Sequence, residues 1–298
     1  MRGAIGVDIG GTHLRAARVG EGCRIADHRS EPITRDPEAV IARIIELCRD
    51  LDDPAVDAIG IGVPGRVNPR QRKVLSGGYV DLSGRDLARR LEDASSRPVT
   101  IDNDCSMALV AEMAIGAAAG CDNVVMFTIG TGIGGAVALD GQVAHGAGTA
   151  GQLGHITVEP GGQLCNCGRR GCVETTSSGT ALGRHIGEAA IPADTRVEDL
   201  LRAARQGDPV AARVLERWVQ PLRSAIDSMV AAVAPDIVVL GGGLGRAARV
   251  ALAHAPAVSP WYQCRVEAAR LGDDAGVIGS ALAATAYAGS PTAMRLQA

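Results

Sequence analysis

The sequence predicts an α/β protein, because short runs of β-branched residues alternate with longer segments rich in alanine, leucine and arginine. Several of the predicted strands end in glycine-rich turns, which is where an open α/β sheet usually binds ligands. Predicted strands cover residues 4–7, 14–19, 55–63, 99–102, 124–129, 134–139 and 237–240. Predicted helices cover residues 37–50, 84–94, 106–116, 210–233 and 276–288.

One glycine-rich hairpin occurs twice along the chain. Residues 5–15, Ile-Gly-Val-Asp-Ile-Gly-Gly-Thr-His-Leu-Arg, recur in altered form at 126–136 as Met-Phe-Thr-Ile-Gly-Thr-Gly-Ile-Gly-Gly-Ala. The repeat predicts two related domains that face one another across a cleft. We expect residues 1–116 to form the smaller domain, rejoined by 284–298, and residues 117–283 to form the larger one.

Composition and charge narrow the class of partner. The chain of 298 residues has a formal net charge of −3, and only 2% of its residues are aromatic. It therefore lacks the basic, aromatic surface expected of a nucleic-acid-binding protein. We find no secretory signal pattern and no apolar run long enough to cross a membrane, so membrane partners are not expected. Five cysteines show no disulfide-type spacing, which predicts reduced thiols and a cytoplasmic location: Cys23, Cys48, Cys105, Cys121 and Cys264.

The first glycine-rich turn has two interpretations. As a tight hairpin it needs no ligand. As a binding site, Gly10, Gly11 and Thr12 would present backbone N–H groups and a hydroxyl to a phosphate chain. Asp8 would then hold a hydrated Mg²⁺ beside the phosphates.

Two further turns match a nucleotide site. Thr131, Gly132 and Gly134 lie in a second anion-binding turn, and Gly242 and Gly243 follow an apolar strand where an adenine ring could approach the backbone. Two phosphate turns followed by an adenine turn are typical of the actin-like ATPase fold, which is ribonuclease H-like and has its active site in the cleft between two domains.

A compact set of zinc-type ligands lies in the second half of the chain. His155 precedes a Cys-x-Cys-Gly-x-x-Gly-Cys segment that contains Cys165, Cys167 and Cys172. One imidazole and three thiolates form a tetrahedral set of the kind found in closed, structural zinc sites. The alternative is three reduced cysteines that pack as small apolar side chains.

These motifs together resemble those of the ROK family of sugar kinases and repressors, nearly from end to end. The most specific motif runs from His155 to Glu174, and further matches are Gly62-Val-Pro-Gly65, Asn103-Asp104 and the 150–155 segment Ala-Gly-x-Leu-Gly-His. The resemblance implies phosphorylation of a hexose-like hydroxyl, usually on C6, with ATP and Mg²⁺. Members of the family are commonly dimers or tetramers.

The resemblance also implies roles for single residues. Asp104 matches the catalytic base, for which an aspartate of ordinary pKa is sufficient because phosphoryl transfer depends mostly on positioning. The competing interpretation of Asp104 is a helix N-cap. Four further residues match positions of the sugar site: Gly65, Asn103, His155 and Glu174.

Two departures from the family pattern bear on the substrate. Gln152 stands where the family usually has glutamate, and Asp81 stands where it has asparagine. The hypothesis is that Asp81 pairs with the ammonium of an aminohexose such as kanosamine or glucosamine. Gln152 would suit a changed anomeric region, as in a C7 cyclitol of the valiolone type. N-acetylmannosamine is a further alternative, and neutral variation on a loop is the simplest one.

Three other classes are weaker candidates. A ROK repressor would carry a winged helix-turn-helix, for which there is no room before the first strand, predicted to begin at Ala4. A sugar sensor without activity is disfavoured by the intact Asp8, Asp104 and the 130–135 turn. An acyl kinase of the same wider fold should lack the zinc loop.

Overall fold

The computed structural model describes residues 3–289 of the chain. The strands are β1 (Gly3–Ile9), β2 (His13–Val19), β3 (Ile25–Pro32), β4 (Val56–Val63), β5 (Arg66–Asn68), β6 (Lys73–Ser76), β7 (Val99–Asn103), β8 (Val124–Ile129), β9 (Ile133–Leu139), β10 (Gln142–Val143), β11 (Ile237–Gly241) and β12 (Val266–Ala268). The helices are α1 (Pro37–Asp50), α2 (Leu87–Ser95), α3 (Asp104–Ile115), α4 (Glu174–Ser177), α5 (Gly179–Glu188), α6 (Val197–Arg205), α7 (Pro209–Val233), α8 (Gly245–Ala251) and α9 (Ala275–Ala288).

The described chain divides into two compact units. The first comprises residues 3–119, 145–150 and 273–289, and the second comprises 120–144 and 151–272. The chain returns to the first unit at residue 273, whereas the sequence predicted a return at residue 284. The difference arises because α9 lies on β1 and β4 from its first turns. Residues 290–298 of the expected return lie outside the described residues.

The two units contain sheets of the same topology. The first sheet has the order β3-β2-β1-β4-β7 and the second has the order β10-β9-β8-β11-β12. In each sheet an antiparallel hairpin lies beside two parallel strands. The sheets thus realise the repeat seen in the sequence, and the mixed α/β architecture agrees with the predicted fold class.

The core of the first unit follows from its local sequence. In α1, Asp36 caps the helix by accepting a hydrogen bond from the Glu38 N–H, and Pro37 occupies the first helical position. The helix buries the face that contains Val40, Ile41 and Ile44. In the second unit the long helix α7 has the corresponding role, with Trp218 fully buried and its indole N–H donated to the Ser178 carbonyl oxygen at 3.1 Å.

Helix α9 lies unusually close to the first sheet, because glycines face it. A Cβ atom on Gly6 would lie 1.8 Å from the Val277 carbonyl oxygen, and one on Gly60 would lie 1.9 Å from that of Ser280. The Ser280 hydroxyl also donates a hydrogen bond to the Val7 carbonyl oxygen at 3.0 Å. The backbone of α9 therefore packs directly on β1 and β4.

Within the described residues, no helix is long and apolar enough to span a membrane.

We predict that Gly60→Ala lowers the free energy of unfolding by at least about 2 kcal/mol, since the new methyl group has no space beside α9. Urea unfolding measures the effect. The matched control is Gly183→Ala in α5, where a Cβ meets nothing within 4 Å and should stabilise the helix by about 0.5–1 kcal/mol. Equal stability of the two variants would contradict the close approach of α9.

Candidate active site

The carboxyl ends of three parallel strands place the first group of candidate residues at one edge of the first sheet. Asp8 on β1 is in register with Gly62 on β4, which is in register with Asp102 on β7. Asn103 and Asp104 follow directly, where β7 passes into α3. The sheet thus gathers predicted metal-binding and catalytic carboxylates at the edge where α/β sheets bind ligands.

Asp8 is a poorly solvated carboxylate. Its side chain is 14% exposed, and the nearest cation is the Arg15 guanidinium at 3.7 Å. Burial and the nearby Asp104 charge raise the pKa of Asp8 to about 7, although Arg15 opposes the shift. Asp8 and Asp104 are neighbouring carboxylates, and Arg15 offsets their negative charge only in part. The two side chains therefore fit a site for a divalent cation.

Asn103, rather than Asp104, caps helix α3. The Asn103 side-chain oxygen accepts hydrogen bonds from the backbone N–H groups of Cys105 and Ser106 at 3.0 and 3.3 Å. Its amide nitrogen donates to the Gly65 carbonyl oxygen at 2.9 Å. The N-cap of α3 is therefore Asn103 and not Asp104.

Asp104 occupies the first position of α3, with one carboxylate oxygen 2.9 Å from the Cys105 backbone nitrogen. Burial raises the pKa of Asp104 to about 6, against opposing hydrogen bonds from Cys105. The carboxyl is thus a stronger base than an ordinary aspartate, yet it is ionised at neutral pH.

The loops beside this edge hold Gly65 and Asp81. Gly65 has φ of +100°, and a Cβ there would lie 2.3 Å from the Ser76 carbonyl oxygen, so only glycine fits. Asp81 is exposed and accepts a hydrogen bond from the Ser83 N–H at 3.0 Å. Hydrogen bonds from Ser83 lower the pKa of Asp81, so its charge is retained.

The first glycine turn joins β1 to β2. The Gly10 N–H donates to the His13 carbonyl oxygen at 3.0 Å, whereas Gly11 and Thr12 are exposed. The Thr12 hydroxyl lies 3.0 Å from Nδ1 of His13. The turn therefore presents Gly11 and Thr12 to solvent, as a phosphate-binding turn requires.

The second unit places its two glycine turns next to each other. Thr131 and Gly132 form the turn between β8 and β9, while Gly134 already belongs to β9. Gly242 has φ of +75°, and Leu244 after it donates its N–H to the Ile129 carbonyl oxygen at 2.9 Å. Gly243 is exposed, with open space where a side chain would be.

His155 and the three cysteines converge as expected. One ligand atom from each of His155, Cys165, Cys167 and Cys172 lies within 4.8 Å of the others. The Cys165 sulfur is 3.5 Å from Nδ1 of His155, and the Cys167 and Cys172 sulfurs are 3.6 Å apart. Ligands at zinc-bond lengths stand about 3.5–3.8 Å apart in a tetrahedron, and these two pairs match that spacing.

Two other predicted sugar-site residues flank this cluster. Gln152 is half-buried and precedes a short 3-10 turn. Its backbone carbonyl oxygen accepts a hydrogen bond from the backbone N–H of His155 at 3.1 Å. Glu174 begins α4, and one of its carboxylate oxygens accepts the Ile133 N–H at 3.0 Å.

The sequence motifs did not indicate two side-chain contacts of the first unit, Arg15 with Asp273 and His145 with Asp102. Arg15 lies between Asp8 and Asp273, whose carboxylate is 3.1 Å away. His145, in the 145–150 segment, has its Nε2 2.6 Å from a carboxylate oxygen of Asp102. Arg15 and Asp273 are 258 positions apart, and His145 and Asp102 are 43 positions apart. Local sequence patterns therefore carry no signal for these two contacts.

The duplicated sheets, with their glycine turns, define the actin-like ATPase class of fold. The ROK family model matches residues 4–286, and the chain belongs to the ROK family.

Its relatives include sugar kinases. The glucokinase of Thermotoga maritima is 33% identical over 308 residues, covering 93% of this chain and 95% of that protein. The N-acetylmannosamine kinase of Citrobacter koseri is 33% identical, with coverage of 94% and 98%.

Solved structures of the family are also similar. A Streptomyces griseus ROK glucokinase in complex with glucose and AMPPNP has a TM-score of 0.80 at 30% identity, with coverage of 95% and 99%. A ROK transcriptional regulator, a homologue of the E. coli MLC protein, has a TM-score of 0.81 at 26% identity. It is covered over 76% of its length and covers 93% of this chain.

We predict that Asp104→Asn raises the free energy of unfolding at pH 8 by about 1–3 kcal/mol without added Mg²⁺. Between 3.8, the ordinary pKa of aspartate, and about 6, the folded state binds more protons than the unfolded state. Stability therefore falls as pH rises through that window, and an uncharged side chain removes the loss. Urea unfolding at pH 8 tests this.

Asp81→Asn is the control for that measurement, because its carboxylate has a lowered pKa and should not be stabilised by the same change. If Asp104→Asn unfolds at the same urea concentration as the unsubstituted protein at pH 8, the Asp104 charge is not desolvated.

Proposed function

We propose that this chain is a sugar kinase that transfers the γ-phosphate of ATP to a hydroxyl, most simply that on C6, of a hexose-like substrate. Membership of the ROK family and the kinase relatives support an ATP-dependent carbohydrate kinase. The observation that carries the proposal is the desolvated Asp104 carboxylate at the sheet edge that also carries Asp8.

Asp104 is the proposed catalytic base. Its carboxylate accepts the proton of the attacking hydroxyl as the new oxygen–phosphorus bond forms and the bond to the β-phosphate breaks, releasing ADP. The pKa near 6 keeps Asp104 ionised at neutral pH while making it a better acceptor. Because Asn103 caps the helix, the Asp104 carboxylate is not required as the N-cap and is proposed to face the substrate.

The nucleotide is proposed to bind through the three turns. Gly10, Gly11 and Thr12 would contact phosphate oxygens, as would Thr131, Gly132 and Gly134, and the adenine would lie on Gly242 and Gly243. Asp8 would hold the hydrated Mg²⁺ that accompanies ATP, which supplies charge neutralisation of the phosphates.

Sugar hydroxyls are proposed to bind Gly65, Asp81 and Asn103 of the first unit and Gln152, His155 and Glu174 of the second. Nδ1 of His155 faces the cysteine sulfurs, so Nε2 is the nitrogen left for a hydroxyl. Asn103 is proposed to offer its side-chain amide for the same purpose.

The Cys₃His cluster is proposed to hold a structural Zn²⁺ through His155, Cys165, Cys167 and Cys172. Three thiolates and an imidazole are the donor set that zinc prefers in closed sites. The ion would fix the orientation of His155, and it takes no part in the transfer.

Several finer points belong to the same proposal. Asp81 and Gln152 would favour an aminohexose or a cyclitol over glucose, and the N-acetylmannosamine kinase relative makes that sugar an alternative. We expect a cytoplasmic homodimer or homotetramer, which light scattering can measure. A sugar sensor without activity is the remaining alternative, since the family also contains a transcriptional regulator of similar fold.

A coupled ADP-release assay with Mg·ATP tests the activity. The panel is glucose, mannose, fructose, glucosamine, kanosamine, N-acetylmannosamine and a C7 cyclitol. We expect turnover with at least one of them and a loss of about 10²–10⁴-fold in kcat for Asp104→Asn, as for removal of a general base. Silence with every sugar would favour the sensor.

The substrate hypothesis predicts a change of ranking in two variants. Asp81→Asn should lose preference for a substrate ammonium, and Gln152→Glu should restore preference for glucose, each by about tenfold in relative kcat/KM. The order of substrates in the same assay is the measurement. An unchanged order in both variants would mean that neither residue determines specificity.

Metal analysis tests the zinc proposal. We expect about one zinc per chain in the purified protein and its loss in Cys172→Ser, because removing a buried thiolate breaks a closed site. Cys121→Ser is the control, since Cys121 lies outside the cluster. Metal content that is equal in both variants would contradict the assignment.

A further inference from the structure

The turn between β8 and β9, taken with the first residue of β9 as residues 130–133, is held from outside its own hairpin. The Ile133 N–H donates to a Glu174 carboxylate oxygen at 3.0 Å. A Cβ on Gly132 would lie 2.5 Å from that same oxygen, so the carboxylate is seated against the turn. Glu174 thus contacts the backbone that is proposed to bind phosphate.

The residues that follow Glu174 hold the other half of the turn. The Gly179 N–H donates to the Gly130 carbonyl oxygen at 2.7 Å, and the Thr180 hydroxyl donates to the Thr131 carbonyl oxygen at 2.9 Å. These bonds engage carbonyl oxygens of the turn and leave the exposed Thr131 side chain facing solvent. Residues 174–180 therefore form the platform on which the turn rests.

The same platform is attached to the cysteine cluster. Glu174 lies two positions after Cys172, and its second carboxylate oxygen is 3.8 Å from the Cys165 sulfur. Between them, the Val173 N–H donates to the Ile156 carbonyl oxygen at 2.9 Å, next to His155. On the far side, the Arg184 guanidinium donates to the Thr175 carbonyl oxygen at 2.6 Å.

We propose that Glu174 is a positioning residue for the nucleotide turn, through which the metal held by the Cys₃His cluster raises affinity for the phosphates of ATP. This inference rests on the proposed function, because it takes the 130–133 turn as a phosphate site. It is separate from any contact of Glu174 with sugar. Metal in the cluster fixes Cys172, and the backbone from Cys172 through Val173 then fixes Glu174. Glu174 in turn fixes the Ile133 N–H and the turn.

Nucleotide binding in the absence of sugar tests the inference, because a sugar contact of Glu174 cannot contribute there. Isothermal titration with Mg·ADP on the zinc-loaded protein should show about tenfold weaker binding for Glu174→Ala, the size expected for a lost charged hydrogen bond. Glu174→Gln, which keeps an acceptor oxygen without the charge, should lie between the two. Glu159→Ala, an exposed glutamate of the same loop, should bind like the unsubstituted protein.

A reciprocal measurement uses the unsubstituted protein alone. Coupling between two sites is mutual, so Mg·ADP should slow the release of zinc to a chromogenic chelator several-fold. That measurement stands even if Glu174→Ala does not fold. Unchanged Mg·ADP affinity in Glu174→Ala, or zinc release indifferent to Mg·ADP, would overturn the inference. A protein that binds no nucleotide at all would instead contradict the proposed function.

Discussion

The close approach of helix α9 to the first sheet is the constraint on which the candidate active site depends. Gly6 and Gly60 admit the helix backbone, and a Cβ on Gly276 would collide with the Asp8 carboxyl group at 2.5 Å. A Cβ on Gly279, one turn further along α9, would lie 1.7 Å from the Met107 carbonyl oxygen in α3. One helix therefore packs on both the strand that carries Asp8 and the helix that begins at Asp104. The desolvation that raises the pKa of both carboxyls is a consequence of this dense environment.

The two sheets share one topology but carry different residues at the corresponding position of their hairpins. In the first hairpin Asp8 stands opposite Arg15, and in the second the corresponding pair is Thr128 and Gly134. The first copy thus carries a charged pair near the end of its central strand, whereas the second carries a hydroxyl and a glycine there. A carboxylate suits a cation, and backbone N–H groups of a turn suit an anion.

The sequence predicted the parts of the structure that are encoded locally. Buried apolar strands such as β8 and β11, the glycine turns and the Cys₃His set were all found from spacing and composition. Strand β3 was missed because it lies at the sheet edge with mostly polar, exposed residues, so it lacks an apolar run. The short helix α4 was missed as well, since four residues give little periodic signal.

The site was predictable only in part, for the same reason. Motifs supplied Asp8 and Asp104, but the choice of Asn103 as the cap depends on how β7 meets α3. The pKa of Asp104 depends on burial by elements distant in sequence. The bond from Ile133 to Glu174 joins residues 41 positions apart, and no local pattern announces it.

The pH dependence of kcat/KM for the best sugar, at saturating Mg²⁺, tests the central claim most directly, because it reports ionisations of the free enzyme. A base with a pKa of about 6 must be ionised to accept a proton. The rate constant should therefore be level above neutral pH and fall about tenfold per pH unit below pH about 6. A kcat/KM that stays level down to pH 5 would show that Asp104 is not a desolvated base, and the proposed role of this sheet edge would be wrong.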